Sequence, residues 1–451
     1  MISLYDTARG QVAPLKLRDP GRVSMYVCGP TVYGPPHIGH GRQTLVYDIL
    51  RRFLTWSGLE VTFVSNVTDI DDKIINRAAD EDREWTEIAT KCEAIWWKSM
   101  DSYNVLRPDH TPHATEYVEE MVDLIGALIA GGSAYVTTDG VYLRVSTVPD
   151  YGLLTNQNLD DLLEGGGERS LVGTEKESPA DFVLWKFSKP GEPAWPSPWG
   201  EGRPGWHTEC VVMSLDLLGE GFDLHTGGLD LVFPHHENER AQAVANGQRF
   251  ARHWMHHGFV ELEGEKMSKS LGNVKNLLDL AQLYDPRAYR LLILQSHYRS
   301  PIEVTDTSLN NAVAALGRLD SFARRAAALA TESDPTTLSE FRSVMENDLD
   351  TAGAVDLMFR KVRETNSLLD SKDIEAAGIA AATALEIATV LGLELNAEGE
   401  VVPEEVAALV VRRTAARAAK DWAEADEIRD ELTTAGWTVE DGAQGPVPRR
   451  L

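Results

Sequence analysis

The chain has 451 residues, 43% of them hydrophobic and 25% charged, and its formal net charge is -27. The length predicts about three or four domains, and the composition is that of a globular protein. No apolar run is long enough to span a bilayer. The negative charge disfavours indiscriminate binding to nucleic acid, since a phosphate backbone needs Lys and Arg to displace its counterions. It does not exclude an RNA partner, because a local basic track can lie on an acidic protein.

The first residues, MISLYDTARGQ, have neither the basic nor the apolar region of a signal peptide, so we expect a cytoplasmic protein. The chain has three cysteines, Cys28, Cys92 and Cys210. Their odd number and wide spacing argue against a disulfide framework and for reduced thiols. Each is therefore a metal ligand, a nucleophile or a small buried hydrophobic residue. For Cys92, in the amphipathic stretch EIATKCEAIWWKSM, we predict a packed thiol.

The first third of the chain alternates between predicted strands and helices. The apolar run Val23 to Val27 indicates a strand, and the turn-rich stretch CGPTVYGPPHIGHG follows it. Apolar residues at helical spacing from Thr44 to Trp56 predict a helix, and Val61 to Val67 predicts a second strand. This βαβ unit predicts a parallel sheet with a ligand site at the carboxyl end of its first strand.

The character of the sequence changes from about Asp109 to Pro204. A helix at Glu116 to Ala130 and the strand-like VYLRV give way to stretches rich in Gly, Pro and acidic residues, such as LEGGGERS, and we interpret this segment as an insertion. The helix WHTECVVMSLDLLG, the strand FDLHTGG and the helix FPHHENERAQAVANG then complete the interrupted sheet. From Thr305 onwards helical patterns dominate, with a linker near Leu395 to Glu405 before a small final domain.

His37 and His40 belong to the segment PHIGH, which lies where a strand turns into a helix. The free backbone N–H groups and the dipole of a helix start favour an anion there. Gly39 and Gly41 allow a nucleotide to approach the backbone closely, and the two imidazoles are able to donate to phosphate oxygens as charge builds. Taken alone, an HxxH pair is also a common metal site or a pair of surface histidines.

A second candidate for phosphate binding is the polar loop EKMSKSLGN, residues Glu265 to Asn273. Lys266 and Lys269 lie three residues apart on it, and such lysines can close over a triphosphate and stabilise a leaving pyrophosphate. An isolated match of this kind is more often an ordinary solvated loop. The two motifs together, roughly 230 residues apart, are far more specific than either one.

Four residues have the chemistry of a metal site. Cys28 ends the first strand, Cys210 lies in WHTEC at the start of a helix, and His235 and Glu239 are four residues apart on one predicted helix face. Two thiolates, an imidazole and a carboxylate make a plausible tetrahedral zinc set. On these residues alone, either cysteine is more often a buried apolar side chain, and HHEN is also compatible with a polar helix start.

A run of acidic residues, Asp69, Asp71 and Asp72, precedes Lys73. The spacing is poor for metal ligands, and we predict a turn from a strand into a helix here.

Several motifs carry a family resemblance that spans nearly the whole chain. HIGH and KMSKS, in this order and setting, resemble the signature pair of class I aminoacyl-tRNA synthetases. Among these enzymes the chain resembles cysteinyl-tRNA synthetases, in the segments YVCGPTVYGPPHIGHGR, NVTDIDDKI, PGWHTEC, HTGGLDLVFPHHENE, EGEKMSKSLGN and ARAAKDWAEADEIRDEL. The resemblance implies ATP-dependent adenylation of L-cysteine, followed by acyl transfer to the 3′ end of tRNA(Cys).

The fold that this resemblance implies is α/β. We expect a split Rossmann-type parallel-sheet catalytic domain with a connective insertion, then an all-α helical bundle and a small C-terminal anticodon-binding domain. The expected divisions are residues 1–115 for the first catalytic half, 116–204 for the insertion, 205–255 for the second half, 256–304 for the KMSKS and stem-contact region, 305–397 for the bundle and 398–451 for the anticodon-binding domain.

The resemblance also implies roles for individual residues. The implied sets are Cys28, Cys210, His235 and Glu239 for one Zn²⁺, His37, His40, Lys266 and Lys269 for catalysis, Gly39, Gly227, Asp230 and Lys269 for the nucleotide, and Thr68, Trp206 and His225 for cysteine. His236 and Glu237 receive no role. The expected partners are L-cysteine, ATP with Mg²⁺ and tRNA(Cys), with no membrane, and the chain is expected to act as a monomer.

A soft metal suits a cysteine-specific enzyme. Cysteine and serine are near-isosteres, which shape and apolar contact separate by only a few kcal/mol. A thiolate-preferring ion lowers the thiol pKa and binds the sulfur, whereas a serine hydroxyl stays protonated. Selection is then made at binding, and we expect no editing domain.

The implied anticodon contacts are Arg417, Trp422, Asp426 and Asp441. An aromatic ring can stack on an unpaired base, carboxylates can accept hydrogen bonds from base amino groups, and an arginine can bind a base edge or a phosphate. The same segment also has the mixed charge of an ordinary helix surface. Val447 and Pro448 stand where similar sequences have Thr-Trp, which puts any contact of that tryptophan in doubt.

Two other functions fit parts of this pattern. A ligase that joins cysteine to a small amino sugar would share the metal set and the adenylating core, but it would lack an anticodon-binding region such as residues 400 to 451. A non-catalytic zinc-containing RNA-binding module would leave both phosphate motifs without a role.

Overall fold

The computed structural model describes residues 2–157, 175–262, 265–266, 276–329, 331–397, 403–442 and 445–450. The chain forms two compact units. The larger unit comprises Met1–Leu319 and Leu329–Glu394, and the smaller comprises Asp320–Ala328 and Leu395–Leu451.

The first part of the larger unit contains the start of a parallel sheet. Its elements are β1 (Ser3–Asp6), β2 (Gln11–Pro14), β3 (Arg22–Val27), α1 (Ile38–Trp56), β4 (Glu60–Ser65), α2 (Asp72–Glu81) and α3 (Trp85–Ser102). Five of the six residues of β3 are buried, as in a parallel sheet that is covered on both faces. The helix predicted from Thr44 begins six residues earlier, at Ile38, because His37 caps its start.

A separate antiparallel sheet forms the insertion. Its elements are α4 (Val118–Ala130), β5 (Ala134–Val136), β6 (Gly140–Leu143), β7 (Phe182–Phe187) and β8 (Gly202–Pro204), and its strand order is β5-β6-β7-β8. Asp72 of α2 pairs with Lys186 of β7 and with Arg203 of β8. These ion pairs tie the insertion to the first part of the chain. The carboxylate of Asp71 accepts a hydrogen bond from the N–H of Lys73 and caps α2, so the predicted strand-to-helix turn is confirmed.

The chain then completes the sheet with α5 (Trp206–Leu218), β9 (Leu224–Gly228), α6 (Glu237–Ala245) and β10 (His253–His257). The strand order is β10-β9-β3-β4, and every neighbouring pair is parallel. The crossover between β3 and β9 therefore contains the whole insertion. The predicted parallel α/β fold is confirmed.

One predicted helix, FPHHENERAQAVANG, is shorter than expected. Phe233 has extended backbone angles, and residues Val232–His236 form a wider turn before α6. The reason is Pro234, which lacks an N–H donor and disfavours the helical conformation at the residue before it.

The rest of the larger unit is mainly helical. Its elements are β11 (Val260–Leu262), β12 (Glu265–Lys266), α7 (Leu277–Leu283), α8 (Pro286–Leu294), β13 (Ile302–Glu303), α9 (Asp306–Ala326, which extends into the smaller unit), α10 (Pro335–Glu346), α11 (Thr351–Asp370) and α12 (Ile374–Val390). This agrees with the predicted helical bundle. Within the described ranges, no helix is long and apolar enough to cross a membrane.

A buried ion pair joins α1 to α8. The guanidinium of Arg290 lies 2.6 Å from the carboxylate of Asp48, and the side chains of both residues are 1% exposed. Arg290 also donates to the carbonyls of Tyr103 and Asn104. Arg52, one turn further along α1, donates to the same carboxylate over 2.8 Å. Burial lowers the pKa of Arg290, so this charge is held in place by its partners rather than by water.

The smaller unit contains two helices and a hairpin. Its elements are α13 (Glu404–Ala418), α14 (Trp422–Thr434), β14 (Trp437–Gly442) and β15 (Gly445–Arg450), around a core of Val406, Val410, Ile428, Leu432 and Trp437. Helical patterns dominate the sequence from Thr305 onwards, but the last residues of the chain form this hairpin. Val447 and Pro448 lie in β15, opposite Glu440 and Val439.

Candidate functional site

A cavity of about 310 Å³ lies at the carboxyl end of the parallel strands. It is bordered by the segment after β3, the start of α1, the start of α2 and the segment after β10. The residues that line it are Cys28, Gly29, Pro30, Thr31, Tyr33, His37, Gly39, His40, Gln43, Lys73, Trp206, Asp230, Leu231, His257, Gly258, Phe259 and Val260. The cavity lies where the sequence predicts a ligand site, at the carboxyl end of the first strand of the parallel sheet.

His37 and His40 form a reciprocal cap at the start of α1. The Nδ1 atom of each ring accepts a hydrogen bond from the backbone N–H of the other residue, and the ring centroids are 3.7 Å apart. Nδ1 acts as the acceptor, so each neutral ring carries its proton on Nε2, which is available as a donor. Burial lowers the pKa of His37 to about 4 and that of His40 well below its usual value. Both side chains are therefore neutral donors near pH 7.

The small size of Gly39 is required by this cap. A Cβ atom at Gly39 would lie 2.9 Å from the ring of His37. A larger residue would displace the ring and break the pair of capping bonds.

The four predicted metal ligands come together beside the cavity. Cys28 follows β3, Cys210 lies in α5, His235 lies in the turn before α6, and Glu239 lies in α6. All four are buried, and one ligand atom of each lies within 4.8 Å of the others. Gln43 donates to the carbonyl of Cys28 over 2.6 Å, which fixes that turn of the backbone. Cys28 thus belongs both to the cavity lining and to the cluster.

The spacing of the four ligand atoms fits a tetrahedral metal ion. Zinc–ligand distances in proteins imply edges of about 3.8 Å between two sulfurs, about 3.6 Å from sulfur to nitrogen or oxygen, and about 3.4 Å from nitrogen to oxygen. The two sulfurs are 3.8 Å apart, and Cys210 Sγ lies 3.6 Å from His235 Nε2. Glu239 Oε1 lies 3.5 Å from Cys28 Sγ and 3.0 Å from His235 Nε2. This donor set is suitable for a metal of zinc's size and softness.

A second group of possible ligands shares two members with the first. Cys28 and Glu239 also lie close to His225 and His236. His236 Nε2 is 3.3 Å from Cys28 Sγ but 4.0 Å from Glu239 Oε1, whereas His225 Nε2 contacts the other carboxylate oxygen at 2.7 Å. The edges of this group depart further from a tetrahedron, so the geometry favours the group with Cys210 and His235.

The surrounding histidines orient the cluster. His235 shares a hydrogen bond of 2.8 Å with His207 through Nδ1, which leaves Nε2 facing the ligand atoms. His236 makes an equivalent bond of 2.8 Å to His256, and His256 in turn contacts Thr7 at 2.7 Å. Partners of this kind fix the ring orientation and tautomer of metal-binding histidines.

The electrostatics of the cluster also favour a cation. Burial raises the pKa values of Cys28 and Glu239 well above their usual values and lowers that of His235. Two acidic groups are thus held where their charged forms are unfavourable without a positive charge. A dication would reverse this effect on the thiols and the carboxylate.

The three residues predicted to bind cysteine have different positions. Trp206 is 37% exposed and lines the cavity, and its ring stacks on His235 with centroids 3.9 Å apart. Thr68 and His225 are buried and lie outside the described lining. Thr68 donates to Glu209 over 3.0 Å, and His225 contacts Glu239. Of these three residues, Trp206 is the one that lines the cavity.

The predicted nucleotide residues are also divided. Gly39 and Asp230 line the cavity. Gly227 lies within β9, where its N–H donates to the hydroxyl of Tyr47 and its carbonyl accepts from it. Lys266 belongs to β12 by its backbone, which pairs with Glu261. The side chain of Lys266 and the whole of Lys269 lie outside the described residues.

The sequence prediction missed several residues of the site. Lys73 and Gln43 line the cavity, and His207 and His256 support the candidate ligands. The repeated histidines in WHTEC and HWMHHG were a usable signal, because buried histidines at the ends of adjacent strands and helices commonly serve a polar site.

The predicted anticodon residues lie in the smaller unit. Arg417 is near the end of α13, Trp422 begins α14, and Asp426 follows one turn later on the same helix. Trp422 is 61% exposed, and Asp426 pairs with Arg429 at 2.8 Å. Asp441 lies in β14, and its side chain is outside the described residues. The exposed ring of Trp422 is available for stacking.

Family comparisons match three consecutive parts of the chain. Residues 14–314 match the family described as tRNA synthetases class I (C) catalytic domain. Residues 340–396 match a DALR domain, and residues 400–445 match a cysteinyl-tRNA ligase anticodon binding domain.

Individual relatives are similar over the full length. The chain is 45% identical to a cysteine--tRNA ligase from Halorhodospira halophila, over 100% of both chains. It is 43% identical to one from Pseudomonas aeruginosa, over 99% of this chain and 98% of the relative. Among solved structures, Mycobacterium tuberculosis methionyl-tRNA synthetase in complex with methionyl-adenylate is similar in fold, with a TM-score of 0.62 and 15% identity, over 82% of this chain and 90% of that one.

Proposed function

The chain belongs to the cysteine--tRNA ligase family of class I tRNA synthetases, and from that membership we propose how its residues activate L-cysteine with ATP and load it onto tRNA(Cys). The observation that carries the proposal is the position of Cys28. It lines the cavity beside His37 and His40, and it also belongs to the buried cluster of metal-ligand atoms. A thiol-selecting site and a nucleotide site therefore share one wall.

We propose that Cys28, Cys210, His235 and Glu239 hold one Zn²⁺. The edge lengths between their ligand atoms and the softness of two thiolates support this choice. Bound zinc would supply preference for a thiolate over a serine hydroxyl by lowering the pKa of the thiol. The stacking of Trp206 on His235 places an apolar ring next to the cluster, where it would shield the substrate side chain from water.

Three groups of residues would serve the nucleotide. The neutral His37 and His40 would donate from Nε2 to phosphate oxygens of ATP, and Gly39 would keep both rings in place. Asp230, exposed at the edge of the cavity, would accept hydrogen bonds from the ribose. Lys266 and Lys269 would contribute to charge stabilisation as part of the KMSKS loop, and Mg²⁺ would accompany ATP.

The family match of residues 400–445 supports tRNA as the acceptor over a small amine. We propose that Arg417, Trp422, Asp426 and Asp441 contact the anticodon, with Trp422 as the stacking ring. We also propose the six domain divisions given above. Three free thiols support a reducing, cytoplasmic location.

The direct test is ATP–pyrophosphate exchange paired with tRNA acylation on one preparation. We expect exchange with L-cysteine but not with L-serine, followed by acylation of tRNA that carries a GCA anticodon. The same tRNA with a changed anticodon is the matched control and should be charged poorly. Exchange without any tRNA charging would favour a small-molecule ligase, and the absence of cysteine-dependent exchange would contradict both functions.

A pair of substitutions tests which histidine holds the ion. His235→Gln is expected to lower the zinc content of the purified protein well below one ion per chain, because it removes a ligand. His236→Gln should retain zinc, since its contacts fit the tetrahedron less well. The two variants serve as controls for each other, with zinc measured by mass spectrometry. The reverse result would assign the ion to the group with His225 and His236.

A further inference from the structure

Lys73 is an unassigned cation at the edge of the cavity. It is the second residue of α2, it is exposed, and it lines the cavity with Tyr33 and His40. Its ammonium lies over the ring of Tyr33, 5.3 Å from the centroid. This contact favours an orientation of the side chain along the cavity wall.

The acidic residues next to Lys73 are engaged elsewhere. Asp69 accepts hydrogen bonds from Thr115, Asp71 caps α2, and Asp72 pairs with Lys186 and Arg203. Within the described ranges, Lys73 has no carboxylate partner. The sequence DIDDK therefore uses its carboxylates for structure, and its ammonium has no ion pair with any residue that the structure describes.

The charge of Lys73 stands out among the groups around the cavity. In the described part of the chain, it is the one Lys or Arg in the lining. His37 and His40 are neutral. Burial is the main cause of the lowered pKa of His40, followed by the electrostatic effect of His37 and then by that of the Lys73 ammonium. Lys73 and the second imidazole of HIGH thus face a common region, where one full positive charge and two neutral donors are available to an anion.

We propose that Lys73 binds the β- and γ-phosphates of ATP and stabilises pyrophosphate as it leaves. The inference rests on the proposed adenylation activity and adds a residue to it. In that reaction a carboxylate oxygen of cysteine bonds to the α-phosphorus, and the bond from the α-phosphorus to the bridging oxygen breaks. The electron pair leaves with pyrophosphate, so negative charge accumulates on the leaving group. An ammonium that has no carboxylate partner among the described residues can follow this charge without breaking an ion pair seen there.

Under the proposed function, the tRNA 3′ end and the carboxylate of cysteine are other anions that would enter this cavity. The tests below separate them from ATP, because each enters at a different stage. The β- and γ-phosphates are present in activation but absent from cysteinyl-adenylate. The tRNA phosphates are present only in transfer.

The main variant is Lys73→Gln, with Lys73→Arg to retain the charge. Lys98→Gln is the matched control, because Lys98 is an exposed lysine of α3 away from the lining. ATP–pyrophosphate exchange is measured at saturating cysteine. Lys73→Gln should lower kcat/KM for ATP by about 10- to 100-fold, as expected for loss of one charged donor to a transition state. Lys73→Arg should retain most of the activity, and Lys98→Gln should match the unchanged protein.

A second measurement makes the role specific. The affinity for a sulfamoyl analogue of cysteinyl-adenylate, which lacks the β- and γ-phosphates, should be the same for Lys73→Gln and the unchanged protein. An equal loss of affinity for this analogue would overturn the proposal in favour of a contact to the amino acid or a structural role. Unchanged exchange would also overturn it, and slower single-turnover transfer to tRNA would then assign Lys73 to the tRNA end. If the unchanged protein itself lacks cysteine-dependent exchange, the proposed adenylation fails independently of Lys73.

Discussion

Substitution of Cys210 by serine is expected to remove most of the bound zinc and to raise the KM for cysteine by about 100-fold or more. The thiol of Cys210 lies 3.8 Å from Cys28 Sγ and 3.6 Å from His235 Nε2, so it would occupy one corner of the proposed zinc site. A serine hydroxyl at this corner stays protonated and is a hard, weak ligand for zinc. Changes to groups that only support a ligand already cost about 10- to 100-fold in metal affinity, and loss of a ligand should cost more.

Cys92→Ser is the matched control for Cys210→Ser. Cys92 is also buried, but it packs among Val32, Ile74 and Ile88 rather than with the metal ligands. The Cys92→Ser variant should keep one zinc per chain and an unchanged KM for cysteine. Zinc content is measured by mass spectrometry on dialysed protein, and circular dichroism verifies the fold of each variant. Full zinc content in Cys210→Ser would exclude Cys210 from the site.

Arg290→Met is expected to destabilise the larger unit by about 3–5 kcal/mol, because it leaves the carboxylate of Asp48 buried without its main partner. The substitution also removes the donors to the carbonyls of Tyr103 and Asn104. Urea unfolding followed by tryptophan fluorescence measures the change. Arg290→Met should lower the free energy of unfolding but leave the zinc content of the folded protein unchanged, because Arg290 belongs to neither group of candidate ligands.

Two further variants define the contribution of this ion pair. Arg52→Met removes a more exposed arginine from the same carboxylate but leaves Arg290 in place, so it should cost only about 1 kcal/mol. The double substitution Asp48→Leu with Arg290→Met should recover part of the loss, because a buried pair can often be replaced by apolar residues. An equal loss for Arg52→Met and Arg290→Met would contradict a special role for the buried pair.

The strands and helices of the parallel sheet could be predicted largely from local sequence. The apolar run of β3, the helical spacing in α1 and the resumption of the pattern at α5 and β9 are consequences of burial on both faces of a parallel sheet. The departures have local chemical causes. Pro234 interrupts the helix predicted from Phe233, and the cap by His37 starts α1 earlier than its apolar pattern.

For the candidate ligands, the residue types could be read from the sequence but the distances between them could not. The types of Cys28, Cys210, His235 and Glu239 indicated a soft metal, but their sequence separations gave no distances. His235 and His236 are adjacent in sequence, and the pattern HHEN does not distinguish them. Their different distances to Cys210 and Glu239 depend on how the turn before α6 packs against α5.

The sequence by itself determined the fold class, the two phosphate motifs and the set of residues from which a metal site could be built. These features depend on residue type and on spacing within one element, which a sequence contains directly. Only the tertiary structure decided which candidate ligand atoms lie close together, that Thr68 and His225 lie outside the cavity lining, and that Lys73 lines the cavity with no carboxylate partner in the described part of the chain. Those features depend on distances between elements far apart in the chain, and packing of the sheet and its insertion sets these distances.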